Sequence, residues 1–186
     1  MAFAQECPTA RFFLESGHAS RGTLVLLKKL AYLSLGSNVG DRAGHLNSAI
    51  QRLESLGKVV ATSSFYETEP VEVTAQSWFL NAVVALETEK MPRQLIAAIL
   101  DLEQKMGRRR LQNKGPRIID IDILLFGNSV IDLPGLTVPH PAMHERRFVL
   151  QPLMEIAPDT RHPVLKKTVR ELLAALPPGQ AVRKKN

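Results

Sequence analysis

The segment Gly115–Gly127, GPRIIDIDILLFG, restricts the fold of this chain more than any other. Residues two apart in a strand point to the same face. Ile119, Ile121, Ile123 and Leu125 then form one apolar face, and Asp120 and Asp122 emerge from the other. Such a strand fits a sheet with one covered face and one face on which two carboxylates stand together. Like charges side by side cost free energy unless something positive lies between them, so the same segment calls for a cation.

The rest of the chain supplies the sheet. LAYLSLGSN reads as a first strand, after which Asp41 opens a helix with Leu46, Ala49, Ile50, Leu53 and Leu56 on one face, stopped by Gly57. KVVATSSFYET and FLNAVVALETE are rich in β-branched and aromatic residues and read as the second and third strands. Pro92 suits the first turn of a second helix carrying Leu95, Ile96, Ile99, Leu102 and Met106, with Gly107 as its stop. The loop RRRLQNKGPR leads to the aspartate strand. A short SVID strand, a Pro-rich turn and helices around RRFVLQPLMEI and KKTVRELLAAL follow. The order predicts an α+β fold: a ferredoxin-like βαββαβ antiparallel sheet with helices on one face and a helical C-terminal part.

A chain of 186 residues is of single-domain length. Residues 30–178 are expected to form that domain. Residues 1–29 lack periodicity and read as a loose N-terminal extension; residues 179–186 read as a disordered tail after Pro177-Pro178-Gly179. No apolar run reaches the roughly 18 residues of a membrane span, so no membrane partner is expected. Cys7 is the only cysteine, which rules out an internal disulfide and suits a reducing, cytoplasmic setting. The net charge of +6 favours an anionic partner, and both nucleic acid and a nucleotide triphosphate satisfy that.

Cα atoms two apart on a strand lie about 6.5–7 Å from each other, so Asp120 and Asp122 can converge on a metal. An all-oxygen pair suits Mg²⁺, which completes its shell with water and substrate phosphates. Solvated aspartates on an exposed face give the same Asp-x-Asp pattern. Immediately before them, Arg108, Arg109, Arg110, Lys114 and Arg117 form a basic loop whose guanidinium forks match phosphate oxygens. Gly107 and Gly115-Pro116 flank it, as expected of a loop able to close over a ligand. In TVPHPAMHERRF, His140 could donate to a phosphate, although a surface histidine in a turn is the better reading of it alone; Arg146 and Arg147 follow, and Phe148 suits either core or stacking. Asn81, inside the apolar FLNAVV, needs partners for its amide: the edge of a heterocycle, or an adjacent loop. LGSNVGDR lacks the spacing of a phosphate-binding glycine loop and reads as a strand-to-helix turn with capping residues.

Taken in order, LGSNVGDR, SSFYETEP, FLNAVVALET, LEQKMGRRR, GPRIIDIDILLFG and LTVPHPAMHERRFVLQPLMEIAP resemble the 6-hydroxymethyl-7,8-dihydropterin pyrophosphokinases of folate synthesis, from about Ala31 to Leu176. The resemblance implies transfer of the β,γ-pyrophosphate of ATP to the pterin hydroxymethyl group, with release of AMP, by a monomer that binds no nucleic acid. It implies two Mg²⁺ ions on Asp120 and Asp122, and catalytic parts for Arg108, Arg117 and Asp122. On the ATP side it implies Glu103, Arg108, Arg117, Ile123, His140 and Arg146, and on the pterin side Thr68, Val71, Phe79, Asn81 and Phe148. Two rival classes share some of these features. An RNA-binding sheet would use the arginine loop, but the aspartates would repel its ligand. An Asp-x-Asp nucleotidyl- or glycosyltransferase would share the metal site without needing Asn81 between aromatic rings.

Overall fold

Strand β1 (Lys29–Ser37) is the centre on which the domain is built, pairing with β4 on one side and β5 on the other. The computed structural model describes residues 28–69, 77–108, 115–179 and 181–185. Helix α1 (Arg42–Leu53) starts where the sequence places it: the Asp41 carboxylate accepts a hydrogen bond from the Gly44 amide at 3.0 Å, satisfying one of the free donors of the first turn. Strands β2 (Lys58–Thr62), β3 (Tyr66–Thr68) and β4 (Phe79–Thr88) follow, then helix α2 (Pro92–Lys105) with Pro92 at its start, and strand β5 (Asp120–Phe126). A hairpin of β6 (Ile131–Leu133) and β7 (Leu136–Val138), a 3-10 turn at Met143–Glu145, helices α3 (Arg147–Ile156) and α4 (Val169–Ala175), and strand β8 (Val182–Lys184) complete it.

The main sheet is antiparallel, in the order β5-β1-β4-β3-β8, with β2 also paired to β4. The single second strand expected from KVVATSSFYET is two. At the break Ser63 accepts from the Val83 amide with its hydroxyl (2.9 Å), and Ser64 turns its amide and hydroxyl to Glu155 on α3 (3.1 and 2.8 Å). Side-chain oxygens thus take over bonds that a continuous ladder would use.

Helices α1 and α2 cover one face, over Leu33, Leu35, Ala82, Val84, Leu86, Ile121 and Ile123, all buried in one core. The expectation of helices on one face holds for this pair alone. Helices α3 and α4 lie on the opposite face, where Leu150, Leu153, Val169 and Leu172 bury Val83, Leu124 and Leu125. Leu125 also corrects the reading of the aspartate strand. Tyr32 is paired with Leu125 but Leu33 with Ile123, so Leu124 is an extra residue in β5. This bulge reverses the alternation, sending Leu125 to the α3 side and Phe126 to the α1–α2 core.

The tail departs from expectation too. Val182–Lys184 are not loose but pair antiparallel with β3, Tyr66 opposite Lys184 and Thr68 opposite Val182.

Candidate active site

Pairing registers put the two halves of the candidate site on one row. Asp120 on β5 stands opposite Gly36 on β1, and Gly36 stands opposite Asn81 on β4. Directly opposed residues share a face, and strands are spaced about 4.8 Å apart. Asp120 and Asn81 are therefore about 10 Å apart on the same side of the sheet. One step along, Asp122 opposes Ser34, which opposes Val83 beneath α3. The aspartate face is thus open at the Asp120 end and roofed by α3 beyond it.

The cations that offset the carboxylates are arginines. Arg108 places one nitrogen on the Asp120 carboxylate at 2.7 Å and another on Glu103, while Arg117 binds the second Asp120 oxygen. Glu103, buried at the end of α2, accepts from the Ile121 amide at 2.7 Å and so ties the helix to the outer edge of β5. Burial raises the Glu103 pKa against the opposing pull of Arg108. Glu103 therefore holds an arginine and a strand edge. Ile123 lies two residues beyond Ile121, so its backbone faces the same outer edge by alternation, while its side chain is buried in the helix-side core. A ligand on the aspartate face can meet Ile123 through backbone alone.

Among the described residues, no arginine forms an ion pair with Asp122. Burial, then the charge on Asp120, raise its pKa, with His140, Arg146 and Arg108 pulling the other way. Burial lowers the pKa of His140, which keeps its ring neutral at pH 7. Its Nδ1 accepts from the Ala142 amide at 3.2 Å, which assigns the proton to Nε2, the nitrogen left to donate. Arg146 stands just before α3 with its guanidinium 5.6 Å from the Phe148 ring centroid.

On the other half, the Asn81 amide donates to Thr68 Oγ1 at 2.7 Å, and both residues are buried. Phe79 opposes Thr68 in the β3–β4 ladder and points to the same face as Asn81, two residues on. Phe148 is half-buried on α3, the helix over that face. Thr68, Phe79 and Asn81 are brought together. Val71, Arg109, Arg110 and Lys114 lie outside the described residues.

The sequence model of the 7,8-dihydro-6-hydroxymethylpterin-pyrophosphokinase family matches residues 32–158. The chain belongs to this family. It is similar to a 2-amino-4-hydroxy-6-hydroxymethyldihydropteridine pyrophosphokinase of Methylorubrum extorquens, 46% identical over 80% of this chain and 94% of that protein. It is also similar to the folic acid synthesis protein fol1 of Schizosaccharomyces pombe, 40% identical over 94% of this chain. There the chain spans only 24% of the relative's length. Among solved structures, Plasmodium falciparum HPPK-DHPS, wild type with STZ-DHP, superposes with a TM-score of 0.64 at 21% identity, covering 82% of this chain and 44% of that one. That likeness speaks for the fold.

Enzymes of this family act on ATP with Mg²⁺, and the donors on β5 fit such an ion. Asp120 and Asp122 offer hard oxygen ligands, and the described residues hold no cluster of three or more metal-binding side chains. With two carboxylates alone, such an ion would need water and phosphate to complete its shell, as Mg²⁺ prefers. Both Asp120 oxygens are held by Arg108 and Arg117, whose forks suit phosphate equally well.

Three residues of the pyrophosphokinase motif LGSNVGDR do more than form a turn. A Cβ on Gly36 would lie 2.8 Å from Asn81 Oδ1 and 3.9 Å from the Phe79 ring, so only glycine leaves this row open. Asn38 fixes the backbone of Arg117, accepting from its amide at 2.8 Å and donating to its carbonyl at 3.2 Å. Arg42 reaches across to Glu67 and Trp78. Their partners lie 79, 25 and 36 residues away for the hydrogen bonds of Asn38 and Arg42. The available signal was a glycine inside a strand, which often marks close approach of another group.

Proposed function

We propose that this chain transfers the β,γ-pyrophosphoryl group of ATP to the hydroxymethyl oxygen of 6-hydroxymethyl-7,8-dihydropterin. A bond forms between that oxygen and the β-phosphorus, the bond from the β-phosphorus to the α-phosphate oxygen breaks, the hydroxyl proton leaves, and AMP departs. The observation that carries this is the row Asp120–Gly36–Asn81. It sets a phosphate-and-metal corner about 10 Å from an amide able to read a heterocycle edge, a span suited to a pterin bearing its hydroxymethyl group toward the phosphates. By its strand order β5-β1-β4-β3 we read the sheet as ferredoxin-like.

Asp120 and Asp122 would hold Mg²⁺, as two ions, which would neutralise charge on the transferring phosphates. Arg108 and Arg117 exchange Asp120 for phosphate oxygens, so the cationic forks are already beside the site when ATP arrives. His140 donates from Nε2, and Arg146 adds positive charge next to Asp122. We read Asp122 as the carboxylate that takes the hydroxyl proton, through an oxygen that metal leaves free. Asn81 and Thr68 orient the pterin amide edge, with Phe79 and Phe148 against its faces and Val71 beside it. Such transfer depends on positioning and charge more than on covalent chemistry. A single cysteine fits work in a reducing cytoplasm, and we read the protein as a monomer. Among the described residues no helix is long and apolar enough to cross a membrane.

Incubation with MgATP and the hydroxymethyl dihydropterin, followed by identification of the nucleotide product, tests the assignment. AMP is expected. ADP would make the protein a simple kinase, and no turnover by folded protein would overturn the proposal.

A further inference from the structure

Strand β3 has only three residues, yet it carries Thr68, the partner of Asn81. Its ladder to β4 pairs Tyr66 with Asn81, Glu67 with Leu80 and Thr68 with Phe79. So short a strand is weakly held by one neighbour, and here it is held from three further directions. On its outer edge lies β8, reinforced by the Lys185 amide donating to the Phe65 carbonyl (2.8 Å) and the Glu69 amide to the Ala181 carbonyl (3.4 Å). From α3, Glu155 accepts from Tyr66 Oη at 2.8 Å and meets Lys184 Nζ at 3.2 Å, joining β3 and β8 to the helix. From the start of α1, the Arg42 guanidinium forks between Glu67 Oε1 and the Trp78 carbonyl, each at 2.7 Å.

Trp78 connects these supports. It directly precedes Phe79, its carbonyl is held by Arg42, and the Arg183 guanidinium of β8 lies 5.2 Å from its ring centroid. Arg42 and β8 therefore grip both β3 and the entry to β4, the two strands that present Thr68, Phe79 and Asn81. Among the described residues, no hydrogen bond or ion pair joins either support to Asp120, Asp122, Arg108 or Arg117.

We propose that the C-terminal strand β8, together with Arg42, is a positioning brace for the heterocycle half of the site, setting affinity for the pterin and leaving affinity for ATP untouched. This rests on the pyrophosphokinase function proposed above. Its residues act through Thr68 and Phe79.

The test uses the full chain, a chain ending at Gly179, Arg42→Ala and Arg183→Ala. Truncation is expected to raise KM for the hydroxymethyl dihydropterin about tenfold, with KM for ATP and kcat within about twofold. Arg42→Ala should rise similarly, and Arg183→Ala, which keeps the β8 backbone, about threefold. Equal rises in both KM values, or none in either, overturn the brace. Hydrogen exchange at the β3 amides supplies a readout independent of turnover: it should quicken in the truncated chain while the amides of β5 stay protected. Unchanged exchange in β3 overturns the brace even in an active enzyme. Should the truncated chain fail to fold, the two point variants decide by the same KM split. Absence of AMP production by the full chain would instead count against the function, since β3 exchange is read without turnover.

Discussion

The two ends of the row Asp120–Gly36–Asn81 are built on opposite principles. At the β5 end, charges neutralise one another: Asp120 is shared by Arg108 and Arg117, and Glu103 holds Arg108 from behind. At the β3–β4 end the bonds are neutral and short-range, with Asn81 on Thr68 and a glycine cleared of any Cβ. The first arrangement is internally satisfied and must exchange partners to accept a ligand. The second already has the shape it needs. Recognition of a highly charged, hydrated triphosphate can use such exchange because each arginine moves between equivalent oxygen partners. A flat heterocycle offers few charges, so its selection depends on groups being in place beforehand.

The largest test of this contrast is at the charged end. Asp122→Ala should lower kcat by about a thousandfold or more, on the scale of losing a transition-state electrostatic contact, while calorimetric pterin affinity stays within about threefold. A loss of pterin affinity of the same size would show that the two ends are not separable. Next, Gly36→Ala should break the neutral end from the middle. Its Cβ would press on Asn81 Oδ1, and the KM for pterin should rise by about thirtyfold, about 2 kcal/mol, more than the KM for ATP. A parallel rise in both would mean that the strand has shifted as a body.

Arg108→Lys keeps the charge but loses the fork that spans Glu103 and Asp120. We expect the KM for ATP to rise about tenfold with pterin affinity unchanged, measured by steady-state kinetics with each substrate varied in turn. The smallest effect concerns pH and the neutral end. Burial pushes the Glu155 carboxyl up, but bonds from Ser64, Tyr66 and Lys184 outweigh it and hold the pKa below its ordinary 4.5. A depressed carboxyl contributes stability that is complete above about pH 4.5 and is lost as the pH falls through the folded value. Thermal melts of wild type and Glu155→Gln should therefore differ at pH 7 and converge on acidification below about pH 4.5.

Much of the charged end was legible because its signal is local. Asp120 and Asp122 sit in one run, Arg108 and Arg117 flank it, and period-two alternation places them on one face. The cap at Asp41 and the apolar faces of α1 and α2 were legible for the same reason. What escaped depends on pairing across long separations. Leu125 changes sides because of a bulge against β1, and a bulge is a property of two strands together. Ser63 and Ser64 look like any strand serines until Val83 and Glu155 accept their company. The tail read as loose because Pro177-Pro178-Gly179 ends the preceding helix, yet its backbone needed only an unpaired edge, which β3 provides. Asn38 and Arg42 resembled turn residues because nothing near them in sequence names Arg117 or Trp78.

The basic tail also governs how the molecule meets its neighbours in solution. A sheet edge with unpaired amides and carbonyls is a template on which another chain can add. Strand β8 occupies that edge along β3, carries Arg183 and Lys184, and is followed by Lys185. Any copy approaching from this side meets repulsion before it meets backbone. The proposed brace thus becomes the sheet edge itself, an edge whose charges disfavour the addition of another chain.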